Sequence, residues 1–291
     1  MAVVNSSGVA SSGAVGLVLA RPTRLLGAEP FFMEFIAGIE ERLTEHDLSV
    51  LLHTVTTHDA ELAAYRRWAA GGLVDAVVLV NRSVHDPRPA LLHEVGLPFV
   101  VVGEPAAGLD APAVRTDHAG PVVEALRHLL DLGHSRIARI SGPAGLLHTE
   151  ARTAAMIDCC RAAGAVPMIL EGDYSEESGA KLTAALLGLA EPPTAILYDN
   201  DVMAVAGLGV AKELGVPVPG RLSLIAWDDS TLCRLASPAL TTMSVDVHQF
   251  GISVAESVLE LTGGQQVAER WSPTATLLVR ESSSVVPSQQ D

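Results

Sequence analysis

Residues 195–230 read AILYDNDVMAVAGLGVAKELGVPVPGRLSLIAWDDS and contain one complete strand, helix and strand. Two short apolar runs, each followed by acids or amides, flank one amphipathic segment. Continuous apolar runs are typical of strands that are covered on both faces, so we predict strands at 195–198 and 222–227 and a helix at 201–214. The polar residues after each run would then lie at strand carboxyl ends, where open α/β sheets bind their ligands.

The same alternation continues along the chain. Strict alternation of short strands and helices predicts parallel sheets with helices on both faces, and about ten strands exceed one comfortable sheet. We therefore predict an α/β protein with two doubly wound parallel sheets. Asp59, Ser175 and Asp201 are the expected helix caps. The predicted strands are 15–19, 49–52, 76–80, 99–102, 136–140, 168–170, 195–198, 222–227, 240–245 and 276–279, and the predicted helices are 31–43, 59–68, 88–95, 120–132, 149–163, 175–189, 201–214 and 248–261.

Composition narrows the class of protein. The chain has 291 residues, 48% of them apolar, and a net charge of −15 without any run of Lys or Arg. Clustered cations are needed to bind phosphates, so this segment is not expected to bind nucleic acid unaided. No apolar run is long enough for a membrane span, and residues 1–14 lack the pattern of a secretion signal and indicate a flexible leader. We expect a cytoplasmic protein with reduced cysteines.

Motifs of enzymes and metal sites are absent from the sequence. It contains no phosphate loop, HExxH motif or GxSxG elbow. Its ten histidines are scattered, whereas metal ligands must converge, so neither a metal nor a cofactor is expected. Gly207 and Gly209 have the wrong spacing for a dinucleotide loop and are interpreted as close-packing positions inside a helix.

Polar residues near the strand ends allow three interpretations. The acids Asp199, Asp201, Asp228 and Asp229 could form a catalytic or cation-binding pair, or they could serve as a helix cap and solvated loop charge. Alternatively, Asn200 and Asp228 could bind the hydroxyl groups of a ligand. Arg152 follows the loop GPAG near another strand end, where a guanidinium could bind hydroxyls or remain solvated.

Seven motifs in order resemble the LacI/GalR family of bacterial transcription regulators, specifically the effector-binding core of that family. The resemblance covers residues 15–287, nearly the whole chain. The motifs are VGLVLARP followed by EPFFMEFIAGIEERL, then GLVDAVVLV, LLDLGHSRIARISGP, EGDYSEESG, PTAILYDNDVMAVAGLGVAKELGVPVPGRLSLIAWDDS, SPALTTMSVD and LLVRESS.

The resemblance implies a type I periplasmic-binding-protein-like fold, in which two subdomains are joined by three crossovers and close on a small effector. It also implies a homodimer. By analogy, the N-terminal subdomain comprises residues 15–133 and 244–273, and the C-terminal subdomain comprises 134–243 and 274–287, followed by a tail at 288–291.

The resemblance also implies ligand-binding residues. Arg152 in RTAAM, Asn200 in YDND and Asp228 in AWDD match effector contacts of the family, and Phe32 matches an aromatic residue that stacks on the ligand. Arg82 and Trp227 lie near the same strand ends with less support, and Glu29 stands where the family usually has Asn. Phe32 is the first candidate to stack on the apolar face of a pyranose, and Trp227 is the second.

The implied function is that of a non-enzymatic sensor, which binds a sugar-like effector between subdomains and thereby changes operator binding. The family's N-terminal helix-turn-helix headpiece is not found in the sequence, so operator DNA would be a partner only through a headpiece outside it. One alternative is a solute-binding protein of a sugar uptake system. Another is a sugar hydrolase that uses the acids between Asp199 and Asp229.

Overall fold

The computed structural model describes residues 12–21, 29–105, 109 and 111–286, which fall into two units. Unit 1 is Met1–Thr116 with Asp246–Pro273, and unit 2 is Asp117–Val245 with Thr274–Asp291. The chain thus passes between the units three times, as predicted. Most of the predicted leader and the whole predicted tail lie outside the described residues.

Unit 1 contains a parallel sheet of six strands in the order β11-β5-β4-β3-β1-β2. Its core combines strand residues such as Val77 and Leu79 with the helix residues Tyr65, Trp68 and Leu92. The strands are β1 (Ala14–Ala20), β2 (Ser49–Val55), β3 (Ala76–Leu79), β4 (Phe99–Val102), β5 (Ala113–Arg115) and β11 (Arg270–Trp271), and the helices are α1 (Pro30–Thr44), α2 (His58–Gly71), α3 (Arg88–Glu94) and α9 (Val247–Thr262).

Unit 2 contains a second six-stranded sheet in the order β12-β10-β9-β8-β6-β7. All of its neighbouring strands are parallel except β10 and β12, which are antiparallel. The strands are β6 (Arg136–Ser141), β7 (Val166–Glu171), β8 (Ala195–Tyr198), β9 (Ser223–Asp228), β10 (Thr241–Ser244) and β12 (Thr276–Leu278), and the helices are α4 (Gly120–Asp131), α5 (Leu147–Ala163), α6 (Glu176–Leu187), α7 (Asp201–Glu213) and α8 (Thr231–Leu235).

The segment from residue 195 to residue 230 forms the centre of unit 2. Successive strand residues point to opposite faces of a sheet, and β8 follows this rule. Ile196 and Tyr198 pack into a core beneath α7, whereas Ala195 and Leu197 pack into a second core with residues of α4 and α5. Both faces of the sheet are therefore covered, which explains the continuous apolar runs and confirms the predicted fold class.

Three local predictions were wrong. Thr57, rather than Asp59, caps α2 by accepting a hydrogen bond from Ala60 N–H at 3.2 Å. Asn200, rather than Asp201, caps α7, because its side-chain oxygen accepts a hydrogen bond from Met203 N–H at 2.9 Å. A Cβ on Gly207 would lie 2.1 Å from the Tyr198 hydroxyl, so that glycine is a close-packing position as predicted, but nothing lies within 4 Å of such an atom on Gly209.

The structure also shows elements and a boundary that the sequence did not predict. Strands β5 and β11 are short, and α8 has five residues, so hydrophobic periodicity gives little signal for any of them. Helix α4 was expected in the first subdomain, but it belongs to unit 2. Its apolar side chains Val122, Leu126 and Leu129 pack with Ile137 and Leu197 of that unit.

Among the described residues, no helix combines the length and the apolar composition that a membrane crossing requires.

Candidate functional site

A buried ion pair lies at the carboxyl end of the sheet in unit 2. Arg139 on β6 donates from Nε to Asp199 Oδ1 at 2.7 Å and from Nη2 to Oδ2 at 2.5 Å, and both side chains are fully buried. Asp199 also accepts a hydrogen bond from Gly142 N–H at 3.1 Å. Burial acts to raise the pKa of Asp199, but the charges of Arg139 and Arg152 outweigh it and the pKa falls below its ordinary value. Asp199 is therefore an ionised structural anchor.

Arg152, on α5, lies beside this ion pair. Its guanidinium carbon is 3.9 Å from the centroid of the Trp227 ring, and its Nη1 lies 3.7 Å from Asp199 Oδ2 and 3.5 Å from the Asp199 carbonyl oxygen. Trp227 is only 3% exposed. One face of this indole thus contacts the arginine, so the ring positions Arg152 and is poorly placed to stack on a sugar.

Asp228 and Asp201 form an acidic group next to Arg152. Asp228 is the last residue of β9 and is half-buried, whereas Asp201, the first residue of α7, is 1% exposed. Removal from water and the charges of Asp201 and Asp199 together raise the pKa of Asp228 to about 8, although the charge of Arg152 opposes them. Burial raises the pKa of Asp201 as well. Asp228 is therefore mainly protonated at neutral pH and can donate a hydrogen bond.

Asn200 is placed at the same strand ends, but its amide already has protein partners. In addition to capping α7, it donates from Nδ2 to the carbonyl oxygen of Tyr174 at 3.0 Å, and it is 1% exposed. Its observed contacts hold the turn after β8.

Two histidines adjoin Arg152. The rings of His118 and His148 are 5.6 Å apart, and His148 Nε2 lies 2.7 Å from the Tyr174 hydroxyl. Burial, assisted by the charge of Arg152, lowers the pKa of His118 to about 3 and lowers that of His148 well below its ordinary value. Both imidazoles are therefore neutral, and each has one donor and one acceptor nitrogen.

Four buried polar atoms in this region have no hydrogen-bond partner within the described part of the chain. They are His118 Nδ1, Thr149 Oγ1, Arg152 Nε and Asp201 Oδ2. Buried polar groups in folded proteins are nearly always hydrogen-bonded. A group of unsatisfied atoms around one arginine is therefore the feature expected of a site that receives a polar ligand.

Asp229 was interpreted as solvated loop charge, which the structure contradicts. Its side chain is 11% exposed and pairs with Arg280, whose Nη1 lies 2.7 Å from Oδ1. Ser244 donates from its hydroxyl to Oδ2 at 3.3 Å. Asp229 thus holds its loop in place.

In unit 1, Glu29 and Phe32 lie together at the end of β1. Glu29 precedes α1 and forms an ion pair with Arg21, and the Arg21 guanidinium carbon lies 4.6 Å from the centroid of the Phe32 ring. Phe32 is 4% exposed and also packs edge-on against Phe31 at 5.2 Å. One face of the Phe32 ring therefore contacts an arginine.

Arg82 follows β3 and belongs to a buried charge network in unit 1. Its Nε donates to Asp86 at 2.8 Å, and Arg88 bridges Asp86 to Glu61 with hydrogen bonds of 2.7 to 2.8 Å. Arg82 is 4% exposed, and its Nη1 has no partner among the residues that the structure describes. Two arginines and two acids balance in charge, so Nη1 would suit a neutral acceptor.

The sequence contained partial signals for the residues that were missed. Arg139 is the only charged residue within the apolar run IARI, which is typical of a buried ion pair. His148 and Arg152 are four residues apart and so share one helix face. Nothing in the sequence indicated His118, which reaches Arg152 only through the tertiary fold. No group of three or more His, Cys, Asp or Glu residues in the described ranges is arranged to hold a metal ion.

Comparisons with known proteins agree with this architecture. A family model described as a periplasmic binding protein-like domain matches residues 126–283. The HTH-type transcriptional regulator AglR of Rhizobium meliloti (strain 1021) is 32% identical over 267 residues, which are 88% of this chain and 74% of that protein.

Two solved structures extend the likeness to three dimensions. A LacI family transcriptional regulator from Bifidobacterium animalis subsp. lactis DSM 10140 has a TM-score of 0.86 and 34% identity, covering 96% of this chain and 100% of that one. The complex of the transcriptional regulator CelR with cellobiose has a TM-score of 0.83 and 30% identity, covering 94% and 85%. Because its motifs, its two sheets and these relatives all indicate the same family, the chain belongs to the LacI family of transcriptional regulators and contains the periplasmic-binding-protein-like domain of that family.

Proposed function

We propose that this chain is the effector-binding core of a LacI-family regulator and that unit 2 binds a neutral carbohydrate at the carboxyl ends of β6, β8 and β9. The group of unsatisfied buried atoms around Arg152 carries the proposal. Hydroxyl groups both donate and accept hydrogen bonds, so a polyhydroxyl ligand can satisfy an arginine, an imidazole and a carboxylate together.

The charge of the region favours a neutral ligand over an ionic one. Arg139 and Arg152 balance Asp199 and Asp201, while Asp228 keeps its proton up to a pH of about 8. His118 and His148 carry no charge. An ionic ligand would therefore bring an uncompensated charge into a mostly buried site, which is costly. The solved complex of the related CelR with cellobiose also supports a carbohydrate.

Each residue has a distinct part in this proposal. Arg152 and Asp228 bind hydroxyls directly, and Trp227 and Asp199 orient Arg152. Asn200 shapes the turn, and its direct contact with ligand stays a prediction. Contacts of the effector with Phe32, Glu29 and Arg82 of unit 1 also stay predictions from the family resemblance.

A thermal-shift screen with glucose, galactose, maltose and cellobiose tests the ligand class. A sugar present at about 100 times its Kd should stabilise the fold by about 2.7 kcal/mol. Arg152→Ala and Asp228→Asn should lose this shift while remaining folded. Arg161→Ala is the matched control, because Arg161 lies on the same helix with a side chain that is 74% exposed. Calorimetry that gave both site variants the affinity of the unmodified protein would contradict the assignment.

The proposal includes an output through operator DNA, which a helix-turn-helix outside this sequence would bind, with two copies of the chain acting as a homodimer. Reading the coding sequence upstream of Met1 tests this part. An in-frame helix-turn-helix supports it, whereas a secretion signal would favour a solute-binding protein instead.

A further inference from the structure

The turn after β9 contains two consecutive residues in a strained conformation. Asp228 has a φ of 83° and Asp229 has a φ of 61°. Residues other than glycine rarely adopt this left-handed region, and they persist there only where surrounding contacts hold them. The contacts that hold this turn therefore determine where the Asp228 carboxyl lies.

The holding contacts come from Asp229. Its carboxylate pairs with Arg280 at 2.7 Å and accepts the Ser244 hydroxyl at 3.3 Å, and Arg234 lies 3.9 Å away. Arg280 is itself fixed, since its Nη1 donates to the Leu240 carbonyl at 2.9 Å. The Asp229 and Arg280 side chains are only 11% and 16% exposed, so water screens their attraction weakly.

The partners of Asp229 lie on the segments by which the chain passes between the units. Ser244 ends β10 and immediately precedes Val245, the last residue before the second passage. Arg280 closely follows β12, which begins just after the third passage at Thr274. One carboxylate thus joins the end of β9 to two of the three crossover segments.

We propose that Asp229 is a positioning residue that holds Asp228 for the effector and transmits the occupancy of Asp228 to the crossover segments containing Ser244 and Arg280. The effector part of this inference rests on the proposed function. Asp228 faces the charges of Asp201, Arg152 and Asp199, so a ligand that bonds to its carboxyl changes the forces on the strained turn. Because Asp229 is fixed at the other side of that turn, the change passes to its two partners.

Hydrogen exchange measured by mass spectrometry tests the coupling without any ligand. Asp228→Asn should change exchange several-fold in peptides covering residues 240–246 and 274–280. The same substitution should have no effect on those peptides when Asp229→Asn is already present, because coupled sites are not additive. The inference would be overturned if Asp228→Asn still changed the exchange of these peptides in the presence of Asp229→Asn. It would also be overturned if Asp228→Asn alone left their exchange unchanged.

Further variants separate positioning from general damage to the fold. Arg280→Met and Ser244→Ala remove the partners of Asp229 one at a time, and each should reduce the coupling. They take the place of Asp229→Asn in the experiment if that variant does not fold. Arg280→Lys keeps the charge and should preserve most of the coupling. Glu260→Gln is the control, since it breaks the Arg270–Glu260 ion pair of 2.6 Å in unit 1 and should leave the exchange of both segments unchanged.

Calorimetry with glucose, galactose, maltose and cellobiose tests the effector part. A sugar that binds the unmodified chain should bind Asp229→Asn about tenfold more weakly, the scale of losing one charged hydrogen-bond partner. A saturating sugar should slow hydrogen exchange in the two segments of the unmodified chain, and it should no longer do so in Asp229→Asn. Unchanged affinity and response would overturn the inference while the carbohydrate proposal stands. If none of the four sugars binds, the carbohydrate assignment fails, and the ligand-free exchange experiment decides the role of Asp229.

Discussion

Arg21 in unit 1 and Arg152 in unit 2 have matching surroundings but different partners. Each guanidinium lies over an aromatic ring, Phe32 at 4.6 Å or Trp227 at 3.9 Å, and each side chain is 10% exposed. Arg21 pairs directly with Glu29. In unit 2 the nearest carboxylate, Asp199, is already paired with Arg139, and Arg152 reaches it only at 3.7 Å.

This difference separates an arginine with a carboxylate of its own from one that shares its carboxylate. A buried guanidinium is stable when carboxylate oxygens satisfy its donors. Arg152 shares its carboxylate with Arg139, which holds it by two hydrogen bonds, and reaches that carboxylate only at 3.7 Å. Arg152 therefore keeps donor capacity that its carboxylate does not use, and the proposed effector site draws on this capacity.

The largest effect should follow from removing the arginine that occupies Asp199. Arg139→Met leaves a fully buried carboxylate without its main partner, which should reduce the free energy of unfolding by about 3–5 kcal/mol. Urea denaturation measures this loss. The double variant Arg139→Met with Asp199→Leu should recover part of the stability, because it removes the uncompensated charge. A loss below about 1 kcal/mol, the value for an exposed pair, would show that water screens the Arg139–Asp199 pair.

The acid beside Arg152 should give unit 2 a pH dependence of known sign. The pKa of Asp228 is raised to about 8 in the folded chain and is about 3.9 when unfolded. Between these values the folded state retains a proton that the unfolded state loses, so this group's contribution to stability falls as pH rises. Asp228→Asn should remove that fall and gain about 3–4 kcal/mol relative to the unmodified chain between pH 5 and pH 8.

Asp173→Asn provides a control of opposite sign for that titration. Burial acts to raise the pKa of Asp173, but hydrogen bonds from Ser175 and Ser178 lower it below its ordinary value. Its contribution is therefore present at neutral pH and lost on acidification. Parallel urea titrations at several pH values compare both variants. If the difference in stability between Asp228→Asn and the unmodified chain does not change with pH, the Asp228 carboxyl titrates near its ordinary pKa.

The fold of both units was predictable because local and global signals agree there. Continuous apolar runs such as residues 195–198 predict strands that are covered on both faces, and the structure places β8 at those residues. Short elements were missed, as with the two residues of β11. They contain too few side chains for any period to appear.

The candidate site was predictable only in part, because sequence shows which polar residues follow a strand and not what they contact. The structure places Asp228 at the end of β9 and Arg152 beside Asp199, which follows β8, and the contact of either residue with a ligand stays a prediction. Trp227, however, lies beneath an arginine, and Asn200 holds a helix and a carbonyl group. His118 joins Arg152 from a distant loop, so its role depends on a tertiary contact that no local pattern encodes.

Replacing each of the two arginines by lysine should have the smallest effect, and it tests the comparison of Arg21 with Arg152 most directly. Lysine keeps the charge but loses the planar fork that stacks on a ring while donating to several oxygens. Arg21 has a dedicated carboxylate that an ammonium can still reach, so Arg21→Lys should reduce the free energy of unfolding by about 0.5 kcal/mol. Arg152 must contact the indole, the Asp199 carboxylate and the Asp199 carbonyl together, so Arg152→Lys should lose about 1 kcal/mol. Urea denaturation of both variants in one buffer makes the measurement, and the equal exposure of the two side chains removes solvent screening as a cause of any difference. If Arg21→Lys lost as much free energy of unfolding as Arg152→Lys, or more, a carboxylate of its own would give Arg21 no advantage over the shared carboxylate of Arg152.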